Sequence, residues 1–341
     1  MRYFILNFFL TFSVFSQENI KYAETITEED LKNHIEILSS DEFEGRETGK
    51  KGQKLSAKYI SSFFKKIGIP PYKKNTYYQK FKVKSGRHLC KCEDCDSDFL
   101  KKILSKRNLV KGENILGFIE GKDKKDELII LTAHYDHLGK HENKIYNGAD
   151  DNATGTASIM EIAEAFMKAK KEGNGPRRSV LIMAVSGEEK GLLGSKYYTE
   201  NPIYPLEKTV ANLNIDMIGR IDDWHDHENY VYLIGSDKLS RELHEISEEV
   251  NNEYMSIDLD YTYNKEDDPN RFYYRSDHYN FAKNNIPVIF YFNGVHEDYH
   301  KETDTIEKIR FRKVKRITQL IFLTAWEIVN REERIKLNKW G

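Results

Sequence analysis

The chain is poor in cysteine, carries no surplus of either charge, and has no apolar run long enough for a bilayer. Each lack removes a class of protein. Three cysteines in 341 residues do not make a disulfide scaffold. They crowd into His88-Leu-Cys90-Lys-Cys92-Glu-Asp-Cys95. That segment reads either as a surface excursion with one local disulfide and a spare thiol, or as a small metal loop with His88 as fourth ligand. The first is favoured, because one tight loop rarely supplies a full tetrahedral shell. The 53 basic and 55 acidic residues leave a formal charge of −2, without the clustered basic excess of a nucleic-acid surface. The basic run Lys308–Arg316 opens a helix with Ile317, Leu320 and Ile321 on its inner face, and reads as solvated. No stable membrane insertion is expected, since no segment approaches the ~20 apolar residues a span requires. No internal repeat or low-complexity linker divides the chain.

What is present begins with MRYFILNFFLTFSVFS. Arg2 supplies a positive start, Tyr3–Phe15 an apolar stretch, and Val14 and Ser16 sit three and one residues before a cut ahead of Gln17. The expectation is a signal peptide over residues 1–16 and a mature chain of 17–341, exported to the periplasm or the exterior. No cysteine follows the cut to take a lipid anchor.

Beyond that point, Thr27-Glu-Glu-Asp30 caps a helix bearing Leu31, Ile35 and Leu38. A second helix is expected from about Gly52 to Ile67, and a strand over Tyr77–Lys84. A charged excursion carrying the cysteines follows at about 86–111. Strands are then expected at Asn114–Glu120, Leu128–Ala133, Val180–Val185, Val210–Ile215, Tyr230–Ile234 and Val288–Phe292. Helical patterns lie between several of them, at Thr156–Lys170, Leu192–Tyr198, Leu239–Val250 and Val314–Val329. This alternation predicts an α/β fold with a mostly parallel central sheet, helices on both faces, in one domain. The charged, tyrosine-rich stretch Ile257–Arg275 lacks periodicity and reads as a long loop near the site mouth.

The chemistry-bearing residues follow the apolar runs. LIILTA (128–133) delivers His134-Tyr-Asp136-His137, SVLIMAVSG (179–187) delivers Glu188-Glu189, VANLNI (210–215) delivers Asp216, and IPVIFYFNG (286–294) leads to His296 and His300. Gly148-Ala-Asp-Asp-Asn152 opens a helical pattern. Ligands collect at the carboxyl ends of strands in open α/β sheets, so these groups should converge. Hydrolysing an amide at neutral pH requires an activated water, a polarised carbonyl and a protonated leaving amine. Two divalent metals ~3.5–4 Å apart with a free carboxylate meet those needs. His134, Asp151, Glu189, Asp216 and His300 supply the ligand inventory, and Glu188 is left over.

In this order the motifs His134-Tyr-Asp136, Gly148-Ala-Asp-Asp-Asn152, Glu188-Glu189, Asn214-Ile-Asp216 and Tyr299-His300 resemble those of the M28 family of co-catalytic zinc aminopeptidases. Ser40-Asp-Glu-Phe-Glu-Gly-Arg46 with Thr48-Gly49 is similar to the amino-terminal segment of bacterial members. The resemblance implies a zinc-exopeptidase, phosphorylase/hydrolase-like fold, two Zn²⁺ per chain and peptide substrates. It implies that Asp151 bridges the metals, that His134 and Asp216 complete one shell, and that Glu189 and His300 complete the other. Glu188 would be the general base acting on a metal-bridged hydroxide, and Asp136 would orient a ligand imidazole. It implies a cis peptide at Asp151–Asn152, and it places Tyr273 and Asp277, within Tyr273-Tyr-Arg-Ser-Asp277-His278, at the substrate pocket, with Tyr273 favoured over Tyr274 as an oxyanion donor. His137 and His296 are expected near the ligands as outer or rim residues. The alternatives are a one-zinc glutaminyl cyclase, a carboxypeptidase or dipeptidase, and a non-catalytic binding module. The cyclase is disfavoured because His134 and Asp136 meet the second metal's needs; the module, because all five ligands and the base are present.

Overall fold

The computed structural model describes residues 19–72, 75–84 and 109–339. The expected leader at 1–16 and the cysteine segment with His88, Cys90, Cys92 and Cys95 lie outside the described residues.

Ten strands are present among the described residues: β1 (Tyr78–Lys84), β2 (Leu109–Ile119), β3 (Lys124–His134), β4 (Gly139–His141), β5 (Lys144–Tyr146), β6 (Arg178–Val185), β7 (Thr209–Ile215), β8 (Tyr230–Ile234), β9 (Asp258–Asp260) and β10 (Val288–Phe292). Eight form one sheet in the order β1-β2-β6-β3-β7-β10-β8-β9, and β4 pairs with β5 in a separate hairpin. The centre is parallel: β3 pairs parallel with β6 and β7, and β7 with β10. Antiparallel pairings attach β2 to β6 and β8 to β10 at the flanks. The central strands are buried on both faces, which is why they read as nearly unbroken apolar runs in the sequence.

Alternation along the strands splits the core in two. Ile129, Leu131 and Ala133 of β3, with Val180, Ile182 and Ala184 of β6, face one cluster. Leu128, Ile130, Leu181 and Met183 face the other. Helices Glu28–Leu38, Lys51–Ile67, Gly155–Lys171 and Phe311–Asn330 cover the first face, with Phe166 packed between Phe322 and Trp326. The shorter helices Leu193–Glu200 and His278–Ala282 lie on the second, where Tyr198 packs on Phe281. The architecture is therefore the expected mostly parallel α/β sheet with helices on both faces. Thr27 caps the first helix by accepting from the Asp30 N–H. The β4–β5 hairpin was not foreseen, and Ile257–Arg275 contains β9 and two short 3-10 turns rather than loop alone. No described helix is long and apolar enough to cross a membrane.

Because β3, β6, β7 and β10 run parallel, their carboxyl ends share one edge of the sheet. Residues 134, 188–189, 216 and 296–300 all leave from that edge.

Candidate metal centre

His134 ends β3 and Asp216 follows β7 directly. Glu188 and Glu189 come after β6 and a turn at Gly187, whose φ of +79° suits glycine. Asp151 sits in the turn 149–154 that opens helix Gly155–Lys171. Gly148 has φ +55°, and a Cβ there would lie 2.5 Å from the His137 ring and 2.1 Å from the Asp151 carbonyl, so only glycine fits. The Asp151–Asn152 peptide is cis. Two non-glycine residues at the site, Met217 and His300, hold φ of +54° and +58°. Such conformers cost of order 1 kcal/mol each and persist where packing over-determines them.

These segments bring five expected ligands together. His134 Nε2 lies 3.1 Å from Asp216 Oδ1 and 3.2 Å from Asp151 Oδ1. His300 Nε2 lies 3.2 Å from Asp151 Oδ2 and 3.4 Å from Glu189 Oε2. Each oxygen of Asp151 thus faces a different histidine. Ligands bound ~2.0 Å from a tetrahedral zinc stand ~3.3 Å from one another. The four separations match that spacing.

His137, expected near the ligands as an outer or rim residue, is fully buried inside the second group of donors. Its Nδ1 lies 2.8 Å from Glu189 Oε1 and 3.7 Å from Asp151 Oδ2. The short distance is that of a hydrogen bond, with the imidazole donating to the Glu189 oxygen turned away from His300.

Asp136 departs from its expected contact. His134 Nδ1 meets the main-chain oxygen of Asp136 at 3.0 Å, not its carboxylate. The carboxylate instead accepts from Thr48 Oγ1 at 2.6 Å and from the Glu188 N–H at 3.3 Å. Asp136 orients the imidazole through its backbone, and its side chain anchors the turn carrying Glu188.

Tyr273 and Asp277 do not line the cavity between the histidines. Tyr273 packs on Tyr274 and Tyr279, under the Lys238 amine, and lines a different cavity. Asp277 is wholly buried, accepts from Ser195 Oγ, and is pushed up to about 7 by burial. The chain turns at residues 272–274 so that Phe272, Arg275 and Ser276 face the centre instead. The tyrosine at the cavity is Tyr299, stacked on His300, with Arg275 donating to its hydroxyl at 3.3 Å. Burial, then the charges of Asp151 and Glu189, hold the Tyr299 phenol well above its ordinary range.

The cavity is small, about 40 Å³. Its lining is polar at His134, Asp151, Glu188, Asp216, Ser276 and His300, and apolar at Met217, Phe272, Phe290, Phe292 and Val295. Burial, then repulsion by Glu189 and Asp216, raises Glu188 well above the usual carboxylate range. Burial also raises Asp216. Burial alone would raise Asp151 too, but the imidazoles of His137, His134 and His300 outweigh it and hold Asp151 ionised. Clustered carboxylates with this much burial are costly unless cations offset them. Two donor groups sharing Asp151 (His134, Asp151, Asp216 and His137, Asp151, Glu189) fit divalent ions of zinc's size and ligand preference.

A second layer fixes the ligands. Ser276 Oγ donates to Asp216 Oδ2 at 2.7 Å, and Asn214 holds Ser276. The Asp304 carboxylate accepts from the backbone N–H of Asp150 and Asp151, each at 3.1 Å. Arg46 lies fully buried behind the same turn and donates to the carbonyls of Leu38, Tyr135, Asn147, Gly148 and Asp151.

A histidine–carboxylate metal centre at the carboxyl edge of a parallel sheet defines the class. The model of peptidase family M28 matches residues 114–325. Aminopeptidase YwaD of Bacillus subtilis is 24% identical over 91% of this chain, which spans 66% of that protein. A probable glutamate carboxypeptidase of Arabidopsis thaliana is 38% identical, but over 32% of this chain and 15% of its own length. The structure of the Legionella pneumophila LapA aminopeptidase is similar with a TM-score of 0.69 at 21% identity, covering 93% of this chain and 75% of that one. The chain belongs to peptidase family M28. Its buried donors suit zinc.

Proposed function

We propose that this protein is an exported dinuclear-zinc aminopeptidase that removes amino-terminal residues from peptides. One observation carries the dinuclear reading: the two oxygens of Asp151 face separate donor groups, His134 with Asp216 and His300 with Glu189. Asp151 would be shared, and His137, within the second group, would hold Glu189 in place through Nδ1. Zinc at these positions supplies Lewis acidity for the scissile carbonyl and lowers the pKa of water.

The chain's own groups do the rest. Glu188 faces the cavity with its carboxylate raised by burial, and so is suited to take a proton from the attacking water and return it to the departing amine. The Tyr299 hydroxyl and the Arg275 guanidinium stand at the cavity as donors for the developing oxyanion. Negative charge from Glu188 and Asp216 suits a free α-amine. The apolar lining at Met217, Phe290 and Phe292 suits an apolar first side chain. Export rests on the pattern of residues 1–16, and amino-terminal sequencing of protein recovered outside the cytoplasm should then begin at Gln17.

Arg275 favours a second reading. A guanidinium lining the cavity also suits a substrate carboxylate, as a carboxypeptidase or dipeptidase would require. Matched chromogenic or fluorogenic substrates separate the two. Cleavage of free-amino aminoacyl substrates, lost on amino blocking, supports the aminopeptidase; cleavage of amino-blocked peptides with a free carboxylate supports the other.

A further inference from the structure

Beside the metal cavity lies a second, larger one of about 600 Å³. Phe272 and Val295 line both, so these two side chains stand between the two spaces. The second cavity has aromatic walls. Tyr232 and Tyr263 pack with ring centres 4.4 Å apart, and Tyr263 packs edge-on to Phe272. Trp224 stands at its rim, 81% exposed, among the most exposed large apolar side chains described.

The base beneath Trp224 is firmly built. The buried Asp222 carboxylate accepts from the Trp224 N–H at 3.2 Å, the Tyr232 hydroxyl at 2.7 Å and His225 Nδ1 at 2.8 Å. His225 stacks flat on Tyr230 with centres 3.4 Å apart. A tryptophan presented by an ordered turn, with little of its own surface covered, has an indole face free for a ligand. Acidic groups join the aromatic ones, against one lysine, Lys265: Asp267 lines the cavity, and so does Asp260, whose carboxylate accepts from the Thr262 N–H at 2.6 Å and lies 3.4 Å from His225 Nε2. Asp268 also lines it, but its carboxylate is engaged by the backbone N–H groups of Asn270 and Phe272.

Aromatic faces beside carboxylates select cations carried on apolar stems, because the ring quadrupole and the carboxylate attract the charge while the rings cover the methylenes. We propose that this cavity is a subsite for a lysine or arginine side chain of the bound peptide, with Trp224, Tyr263, Asp260 and Asp267 as its recognition groups. The proposal rests on the peptidase reading of the adjoining centre. A cationic side chain reaches it either from the first residue, past Phe272 and Val295, or from a residue beyond the scissile bond.

The test uses the zinc-loaded protein and the tripeptides Leu-Ala-Ala, Lys-Ala-Ala, Leu-Lys-Ala, Leu-Ala-Lys and Leu-Glu-Ala. For at least one lysine position, kcat/KM should exceed that of the matched neutral or glutamate peptide by about 3- to 30-fold, mostly through KM. The position favoured tells which side chain occupies the subsite. In Trp224→Ala and Asp260→Asn the ratio of lysine to glutamate peptide should fall towards one. Binding is read separately by tryptophan fluorescence in Glu188→Gln, with Trp224→Phe in that background as control. Lysine peptides should change the emission at lower concentration than Leu-Glu-Ala, and the difference should vanish in the control. That readout holds even if no peptide is cleaved, an outcome that would remove the aminopeptidase reading alone. Equal affinity for lysine and glutamate peptides, or a lysine preference untouched by Trp224→Ala, would overturn the subsite.

Discussion

Replacing Arg46 with methionine should damage both stability and metal binding, although Arg46 is none of the ligands. The guanidinium donates at 2.6–2.9 Å to the carbonyls of Leu38, Tyr135, Asn147 and Gly148, and at 3.4 Å to that of Asp151. Burial holds it down to about 10, with Asp151 and Asp304 pulling the other way, so it stays charged at neutral pH. A hydrogen bond from a charged donor contributes about 1.5–3 kcal/mol, and an orphaned buried carbonyl costs about 1–3 kcal/mol. Simple addition over four bonds gives ~6–12 kcal/mol. The acceptors share one partner and can relax together, so the expected loss for Arg46→Met is smaller, about 3–5 kcal/mol. That is a large part of a typical stability of ~5–15 kcal/mol. Because Asn147 and Gly148 precede Asp151 in its turn and Tyr135 follows His134, zinc affinity should also fall, by about 10- to 100-fold. Arg46→Lys should recover only part of either, since an ammonium has three donors for five acceptors and no planar fork. Urea unfolding and zinc competition with a chromophoric chelator measure both quantities. Loss under about 1 kcal/mol together with unchanged zinc affinity would refute the reasoning.

Asp136→Asn keeps the main-chain oxygen that His134 meets, so zinc affinity should stay within about tenfold of wild type, whereas Asp136→Ala should lower turnover further by freeing the Glu188 turn; isothermal titration and kcat measure each. His278 is buried against Phe290 and pushed down to about 3 by burial. Between that value and ~6.5 the unfolded chain binds the extra proton, so stability should fall by up to about 3–5 kcal/mol as pH drops through this window. His278→Phe should flatten that limb in unfolding measured at several pH values. Lys313 is buried, donates to the Tyr230 carbonyl at 2.7 Å, and is pushed down to about 7 by burial. Here too the unfolded chain binds more protons, between pH ~7 and ~10.4, so this lysine penalises folding below that window and the penalty eases as pH rises through it. Lys313→Met should remove this rise and stabilise the protein by about 1–3 kcal/mol at pH 7.

Much of this was legible because parallel strands buried on both faces leave unbroken apolar runs, and a run ending in His134, Glu188 or Asp216 marks both the strand and the edge where it stops. The grouping of His134, Asp151, Asp216, Glu189 and His300 follows from that topology once the strand order is known. Contacts set by loop geometry were not legible. His137 lies three residues past the end of β3, and only the path of the following turn, packed on Gly148, returns its ring to Glu189. Tyr273 and Tyr299 are indistinguishable by residue type; a turn at 272–274 faces one away, while the left-handed conformation of His300 accompanies the other's approach. The Asp136 carboxylate meets Thr48, a residue 88 positions earlier, and Arg46 reaches acceptors as far as 105 positions on. Nothing in the local pattern of Glu-Gly-Arg46-Glu-Thr48 announces those partners.

The most direct test of the central claim is a zinc titration of the chelator-stripped protein, followed by hydrolysis of a free-amino leucyl substrate and its amino-blocked counterpart. Cleavage of the free-amino substrate alone, rising to a plateau at two equivalents of zinc per chain, is the predicted result. A plateau at one equivalent would contradict the sharing of Asp151 between two ions, and cleavage of the blocked substrate would contradict recognition of the free amine.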